Sequence, residues 1–395
     1  MKKRFTFRWT ILVTFIFVVI LLISYLYEAN ASSLNKRISE IVQKCQISID
    51  WRYCYGKELS AFNKTQSFKK TLAILSEIQD LDEKTRDCHF IAHQLASSEV
   101  EKNPKNWLSI FDYVDQNFCV NGFIHGALEG RARFDHGFEL NTQTIPQTCQ
   151  TIEERVIRKN EKADIKGKSN SEGGCSHILG HILLANQGGN ISEAVKSCES
   201  LNEKLRSNCL NGVFMENITR DNLVEHQLAE RIQINDKTAT EFEQLCLGQK
   251  ESVAKSCWRE IAHLYTSLVS DVPLEVFKRC QSASIKTNAN ECYFHGINLM
   301  VLGRDVPEEH LTHMCQPFWG SKELPECINR TIGPLIQSST KFIDRAITFC
   351  RNLPPNAQGG CFTQIASRLK NIVNLKERED LCQKIPLNFR IKCQS

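Results

Sequence analysis

Eighteen cysteines constrain this chain of 395 residues more than any other feature of its sequence. In the C-terminal half they form pairs whose members are 11 or 12 positions apart, and from Cys246 onward each member recurs every 32 to 35 residues. A fixed period of this size is typical of arrays of helical hairpins. We therefore predict that each pair forms a disulfide that joins the end of one helix to the start of the next.

The cysteine spacing predicts nine local disulfides. Six pairs belong to the regular half, and three less regular pairs precede them; the pairing of Cys88 with Cys119 is made by elimination. Metal binding by cysteine is disfavoured, because no two cysteines are closer than nine positions and C-x-x-C motifs are therefore absent. The predicted pairs are Cys45 with Cys54, Cys88 with Cys119, Cys149 with Cys175, Cys198 with Cys209, Cys246 with Cys257, Cys280 with Cys292, Cys315 with Cys327, Cys350 with Cys361 and Cys382 with Cys393.

The sequence between the cysteines predicts helices. Pro273 and Pro307 begin successive units, and proline is favoured in the first turn of a helix. After Cys257, the residues Ile261 and Leu264 begin one apolar helical face. The predicted fold class is all-α, a right-handed α/α solenoid of disulfide-stapled helical hairpins after an N-terminal transmembrane helix. The layout is similar to that of Sel1-like and tetratricopeptide arrays, whose residue signatures are absent, so the resemblance implies no function.

The N-terminal segment predicts export from the cytosol. Residues 9–27 carry no charge and follow four cations in the first eight residues. Such a run spans about one bilayer core, and the preceding positive charge favours a cytoplasmic N-terminus. We predict a signal anchor that binds the chain to the membrane; a cleaved signal peptide is the alternative, because residues 29–31 have the small-x-small form. The bulk then lies in a periplasm, at the cell exterior or in a secretory lumen.

Charge and spacing divide the remaining chain. Without the four N-terminal cations, 45 Lys and Arg balance 45 Asp and Glu, which disfavours a nucleic-acid partner. The charged stretch 153–168 predicts a solvated loop. The predicted segments are 1–8 as a cytoplasmic basic tail, 9–27 as the anchor, 28–87 as a linker and first helical unit, 88–245 as irregular histidine-rich repeats and 246–395 as regular disulfide-stapled repeats.

Five histidines lie just after cysteines of the N-terminal half. Within each of two pairs the histidines are four positions apart, a spacing that puts both imidazoles on one helix face, as a shared metal ion requires. Zinc, copper or iron would suit imidazole ligands. The candidate metal ligands are His89, His93, His125, His177 and His181.

Register among the repeats suggests a column of side chains. His125, His181 and His263 each lie six positions after a cysteine, and Met215 has the same position in the repeat between. Repeats that stack in register would align these four side chains along one surface. His295 is at most an outlying member of this column.

A glycine stripe accompanies the middle histidine. Gly122, Gly126 and Gly130 are four positions apart, which allows close approach of either another helix or a ligand. Glu129 lies four residues after His125 and is the candidate catalytic acid or base.

Two functional hypotheses follow from these patterns. The first is a membrane-anchored module that binds or scaffolds a protein or peptide, since solenoids present extended surfaces. The alternative is an extracytoplasmic metal-dependent enzyme or metal-binding protein that uses the histidines. A hydrogen-bonding structural role and metal-free acid–base chemistry for the histidines also remain open. The metal-dependent hypothesis requires several of the five imidazoles to converge in one cleft.

Overall fold

The computed structural model is entirely helical in its regular structure. No strand occurs within the residues that the structure describes, which confirms the all-α prediction. The predicted transmembrane segment 9–27 lies outside them, and no helix inside them is long and apolar enough to cross a bilayer. The described residues are 34–86, 88–113, 119, 122–139, 141, 143–162, 171–219, 234–270, 272–303, 306–338, 342–373 and 375–394.

The helices are numbered here in chain order. The N-terminal half contains α1 (34–45), α2 (Trp51–Thr65), α3 (Phe68–Leu81), α4 (His89–Lys102), α5 (Gly122–Phe134), α6 (Thr144–Lys162), α7 (Ser171–Asn186), α8 (Ile191–Glu199) and α9 (Glu203–Thr219). The C-terminal half contains α10 (Asp236–Leu247), α11 (Glu251–Glu260), α12 (Ala262–Leu268), α13 (Pro273–Cys280), α14 (Lys286–Gly303), α15 (Glu308–His313), α16 (Leu324–Ser338), α17 (Ile343–Asn352), α18 (Pro355–Ile372), α19 (Leu375–Cys382) and α20 (Leu387–Gln394). Short 3₁₀ helices lie at Glu83–Arg86, Pro104–Asp112 and Gln316–Phe318.

Local signals start several of these helices. The side chains of Asp50, Ser67, Asn190 and Asn235 each accept a hydrogen bond from the backbone N–H three residues later. Such caps satisfy an N–H group that the helix itself leaves without a partner. Pro273 lies in the first turn of α13, as predicted.

All nine predicted disulfides are present, and each cysteine has the partner that its spacing indicated. The bonds join Cys45 with Cys54, Cys88 with Cys119, Cys149 with Cys175, Cys198 with Cys209, Cys246 with Cys257, Cys280 with Cys292, Cys315 with Cys327, Cys350 with Cys361 and Cys382 with Cys393. Their Cα–Cα distances lie between 4.9 and 5.8 Å, and none of the 18 cysteines is free. Disulfides of this number indicate an oxidising environment, extracytoplasmic or secreted.

In two units the second cysteine lies inside its helix and not at the start of that helix. Cys280 is the last residue of α13, but its partner Cys292 lies well inside α14, which begins at Lys286. Cys257 has the same position in α11, which begins at Glu251. The expectation that the second cysteine starts a helix is therefore wrong for these units. The linking segment is shorter than expected, and the second helix starts nearly two turns before its cysteine.

The second helices of successive units pack against one another. The order of contact is α2, α4, α5, α7, α9, α11, α14, α16, α18 and α20, each packed on the next. Buried apolar side chains form one core along this row. This arrangement confirms that the chain is built from helical repeats.

The charged stretch in the N-terminal half is partly helical. The helix α6 continues to Lys162, so the predicted loop is wrong for residues 153–162. Ile145, Cys149, Ile152 and Val156 are buried at helical spacing and hold this helix against its neighbours. The charged side chains of Glu154 and Arg158 on the same helix are exposed to solvent.

The glycine stripe packs α5 directly against the backbone of α4. A Cβ atom on Gly122 would lie 2.3 Å from the carbonyl oxygen of His89, and one on Gly126 would lie 1.9 Å from that of His93. Both distances are far below van der Waals contact, so only glycine permits this crossing. Close packing of α5 on α4 therefore explains the glycine stripe without a ligand.

A second crossing of the same kind joins α7 and α9. A Cβ atom on Gly180 would lie 2.1 Å from the carbonyl oxygen of Cys209, and one on Gly212 would lie 1.8 Å from that of His177. Each glycine thus faces the backbone of the opposite helix. Four of the five candidate histidines lie on α4 and α7, so these crossings set the position of their side chains.

Removing one disulfide should test the stapling. The double substitution Cys350→Ala with Cys361→Ala opens a loop whose ends are 11 positions apart. The expected loss in the free energy of unfolding is about 3 kcal/mol, because the unfolded chain regains the entropy of the closed loop. Urea unfolding followed by helical circular dichroism measures this loss, and a value below about 1 kcal/mol would contradict it.

Adding one methyl group should test the helix crossing. We expect Gly126→Ala to lower the free energy of unfolding by about 1–3 kcal/mol, because the new Cβ overlaps the backbone of α4. Gly360→Ala is the matched control, since this glycine lies in α18 with no atom within 4 Å of its Cβ position. That variant should gain up to about 1 kcal/mol in helix propensity. Equal stability of the two variants would show that the crossing is not tight.

Candidate metal centre

The five histidines predicted from the sequence lie together, with four of them surrounding the imidazole of His125 on α5. The ring centroids of His89 and His93, on α4, lie 4.5 and 5.9 Å from that of His125. The ring centroids of His177 and His181, on α7, lie 5.5 and 6.0 Å from it. The four-residue spacing within each pair and the close packing of the helices produce this convergence. These residues are called here the five-histidine cluster.

One buried carboxylate orients a histidine of the cluster. Glu216 on α9 has an Oε2 atom 2.6 Å from Nδ1 of His181, and both side chains are almost completely buried. Because a carboxylate only accepts hydrogen bonds, Nδ1 carries a proton, and Nε2 is the ring nitrogen that faces the cluster. That Nε2 atom lies 3.1 Å from Nε2 of His177. A carboxylate on the far nitrogen is the usual partner of a histidine that binds a metal ion.

A second carboxylate, that of Glu129, also bonds a histidine of the cluster. Its Oε2 atom lies 3.0 Å from Nε2 of His93. The sequence spacing paired Glu129 with His125, but the helix crossing brings His93 to it instead. His93 and Glu129 line an open cleft of 910 Å³ between α2, α4, α5 and α7. This cleft connects the cluster to the solvent.

Burial keeps the centre of the cluster uncharged. It lowers the pKa of His125 well below its usual value, and the neighbouring imidazoles, His89 and His177 foremost, lower it further. Burial is again the main cause for His177, whose pKa is also well below the usual value, and His181 adds to the effect. Both imidazoles are therefore neutral near pH 7, which is the protonation state that binds metal ions.

The register column is only partly realised. His125 and His181 are neighbours, as predicted. In the following repeat, Glu216, the residue after Met215, bonds His181. His263 pairs with His295 instead, at 5.3 Å between ring centroids. His295, expected at most as an outlying member of the column, thus contacts one of its predicted members.

A second group of ligand atoms lies in the following units. Oε2 of Glu260 is 3.4 Å from Nε2 of His263 and 3.2 Å from Nε2 of His295. Among the residues that the structure describes, this is the one group in which three potential ligand atoms all lie within 4.8 Å of one another. Its geometry can hold a metal ion. The spacing of the histidines did not point to Glu260. Its position could have been noticed, because Glu260 and His295 each lie three positions after the second cysteine of their pair.

The comparisons with known proteins assign no family to this chain. No protein-family model, curated protein or solved structure matches the chain. In both groups a buried carboxylate contacts a histidine, Glu216 with His181 and Glu260 with His295.

Proposed function

We propose that this chain is an extracytoplasmic metal-binding protein whose five-histidine cluster binds a transition metal ion beside an open cleft. The supporting observation is the arrangement at His181, where the carboxylate of Glu216 holds Nδ1 and leaves Nε2 facing His177 at 3.1 Å. Two nitrogen ligands of a tetrahedral zinc ion are separated by about 3.4 Å. The observed pair is close to that separation.

The third ligand in this proposal is His125. Its ring contacts both pairs of histidines, so a rotation of the imidazole directs a nitrogen toward the space between His177 and His181. Its lowered pKa favours metal binding, since no proton has to be displaced near pH 7. His89 and His93, on the other side of His125, complete the set of candidate ligands.

The disulfides support imidazole as the ligand type. All cysteines are oxidised, so the chain offers no thiolate to a metal ion. Imidazole with a carboxylate partner suits zinc, copper or iron in such a setting.

The cleft extends the proposal to metal-dependent chemistry. His93 and Glu129 face both the cluster and the cleft, so a small molecule bound there would lie next to the metal ion. Their hydrogen bond makes them the candidate acid–base pair for such a reaction. Lys57 and Arg133 line this cleft together with Glu101 and Glu129, so a bound molecule would meet both cations and carboxylates.

The binding or scaffolding hypothesis is the second candidate. Its support is the row of packed second helices, which we infer to wind as the predicted right-handed α/α solenoid. The segment 9–27 would anchor this solenoid at the membrane. The histidine cluster has no role in that function, and this is why we place metal binding first.

Metal analysis of the purified full chain tests the proposal. After exposure to zinc, copper and iron salts and dialysis, we expect at least one tightly bound ion per chain by elemental analysis. His125→Ala should lose that ion, because it removes the residue that contacts all four other imidazoles. His313→Ala is the matched control, since this histidine is exposed at the end of α15. Equal metal content in wild type and His125→Ala would contradict the proposal.

The carboxylate of Glu216 offers a finer test. We expect Glu216→Gln to weaken metal binding about 10- to 100-fold, because the neutral amide holds His181 less firmly and makes its ring a poorer ligand. Glu193→Gln on α8 is the control, since its exposed side chain pairs with Lys196 on the same helix. Competition with a chelator of known affinity measures the change. Unchanged affinity in Glu216→Gln would remove the assigned role of this residue.

A further inference from the structure

Besides the five-histidine cluster, Glu260, His263 and His295 form a compact group of buried ligand atoms. Three helices supply them: Glu260 is the last residue of α11, His263 lies in the first turn of α12, and His295 lies in α14. The chain turns at Ile261 between α11 and α12, and both helices pack on α14. The turn brings Glu260 and His263 to the same side, opposite His295.

The ligand atoms of this group lack other partners. Apart from their mutual contacts at 3.4 and 3.2 Å, Oε2 of Glu260, Nε2 of His263 and Nε2 of His295 have no hydrogen-bond partner, although they are buried. The side chain of Glu260 is 1% exposed and that of His295 is 11% exposed. Buried polar atoms without a partner cost about 1–3 kcal/mol each, so three that converge require an explanation.

A bound cation gives all three atoms a partner. The two measured separations, 3.4 and 3.2 Å from the carboxylate oxygen to the imidazole nitrogens, match the ligand spacing of about 3.3–3.4 Å around a tetrahedral zinc ion. A direct ion pair or hydrogen bond from either histidine to Glu260 is the alternative. At 3.4 and 3.2 Å from one oxygen, both contacts are longer than the roughly 2.7–2.9 Å of a charge-assisted hydrogen bond between such groups.

Neighbouring charged residues determine which oxygen of Glu260 faces the two histidines. Nε of Arg259 lies 3.0 Å from Oε1 of Glu260, so the guanidinium holds one carboxylate oxygen and leaves Oε2 to the histidines. The positive charge of Arg259 is itself balanced by Glu291 at 2.9 Å.

We infer that Glu260, His263 and His295 form a second metal site, which binds a divalent transition metal ion through two imidazoles and one carboxylate. Three protein ligands leave at least one coordination position open, as in catalytic zinc sites and in two-histidine-one-carboxylate iron sites. His263 is the most exposed of the three, at 18%, so water or a small ligand reaches the ion from its side.

Cobalt binding to the full chain tests this inference. We expect Glu260→Gln and His295→Ala to bind one equivalent of Co²⁺ less than wild type in equilibrium dialysis, or to bind that equivalent at least about 100-fold more weakly, since loss of a supporting residue alone costs 10- to 100-fold. The visible absorption of bound Co²⁺ should lose the corresponding band. His313→Ala again serves as the control.

The two sites are tested separately. His125→Ala should leave the equivalent that depends on Glu260 in place, so failure of the five-histidine cluster to bind metal would not affect this result. Glu260→Gln preserves the shape of the side chain, and its thermal unfolding shows whether the fold is intact. If Glu260→Gln and His295→Ala both bind Co²⁺ with wild-type stoichiometry and affinity, the second site does not exist.

Discussion

The local disulfide of each hairpin is the constraint on which the rest of the molecule depends. Helices such as α13 and α19 have eight residues each, a length at which isolated helices are unstable in water. A disulfide near the end of the first helix fixes its position on the second, and the second helices then pack in a row. The same oxidation removes every thiolate, which leaves imidazole and carboxylate as the metal ligands that the chain can offer.

Close backbone packing turns this row of helices into a site. The five histidines lie on α4, α5 and α7, and no single hairpin carries them all. Glycine at the α4–α5 and α7–α9 crossings brings those helices so near that their side chains share one buried space. A cluster made in this way depends on register: a slip of one residue in α5 would move His125 by about 100° around its helix and away from both pairs. The glycines that fix the register are therefore as necessary to the histidine cluster as the histidines themselves.

The sequence predicted the features that are local along the chain. The disulfide partners are mostly 9 to 12 positions apart, and each histidine pair spans one helical turn, so spacing alone identified them. The contacts between units were not readable in this way. Glu216 is 35 positions from His181, and His295 is likewise 35 positions from Glu260. Their meeting depends on how helices cross, which periodicity within one helix does not report. The pairing of Glu129 with His93 rather than with His125 has the same cause.

The two groups of ligands are electrostatic neighbours. The negative charge of Glu260 and the positive charge of Arg259 both act on the pKa of His177, with opposite signs. A cation held by Glu260 would cancel the charge that stabilises a positive His177, so it would keep that imidazole neutral and available as a ligand. The same cation would also repel a second cation at the five-histidine cluster. Glu216 and Glu129 supply negative charge on the other side, which reduces this repulsion. The distribution of buried carboxylates over both groups would thus allow the two proposed cations to be held in neighbouring parts of one helical array.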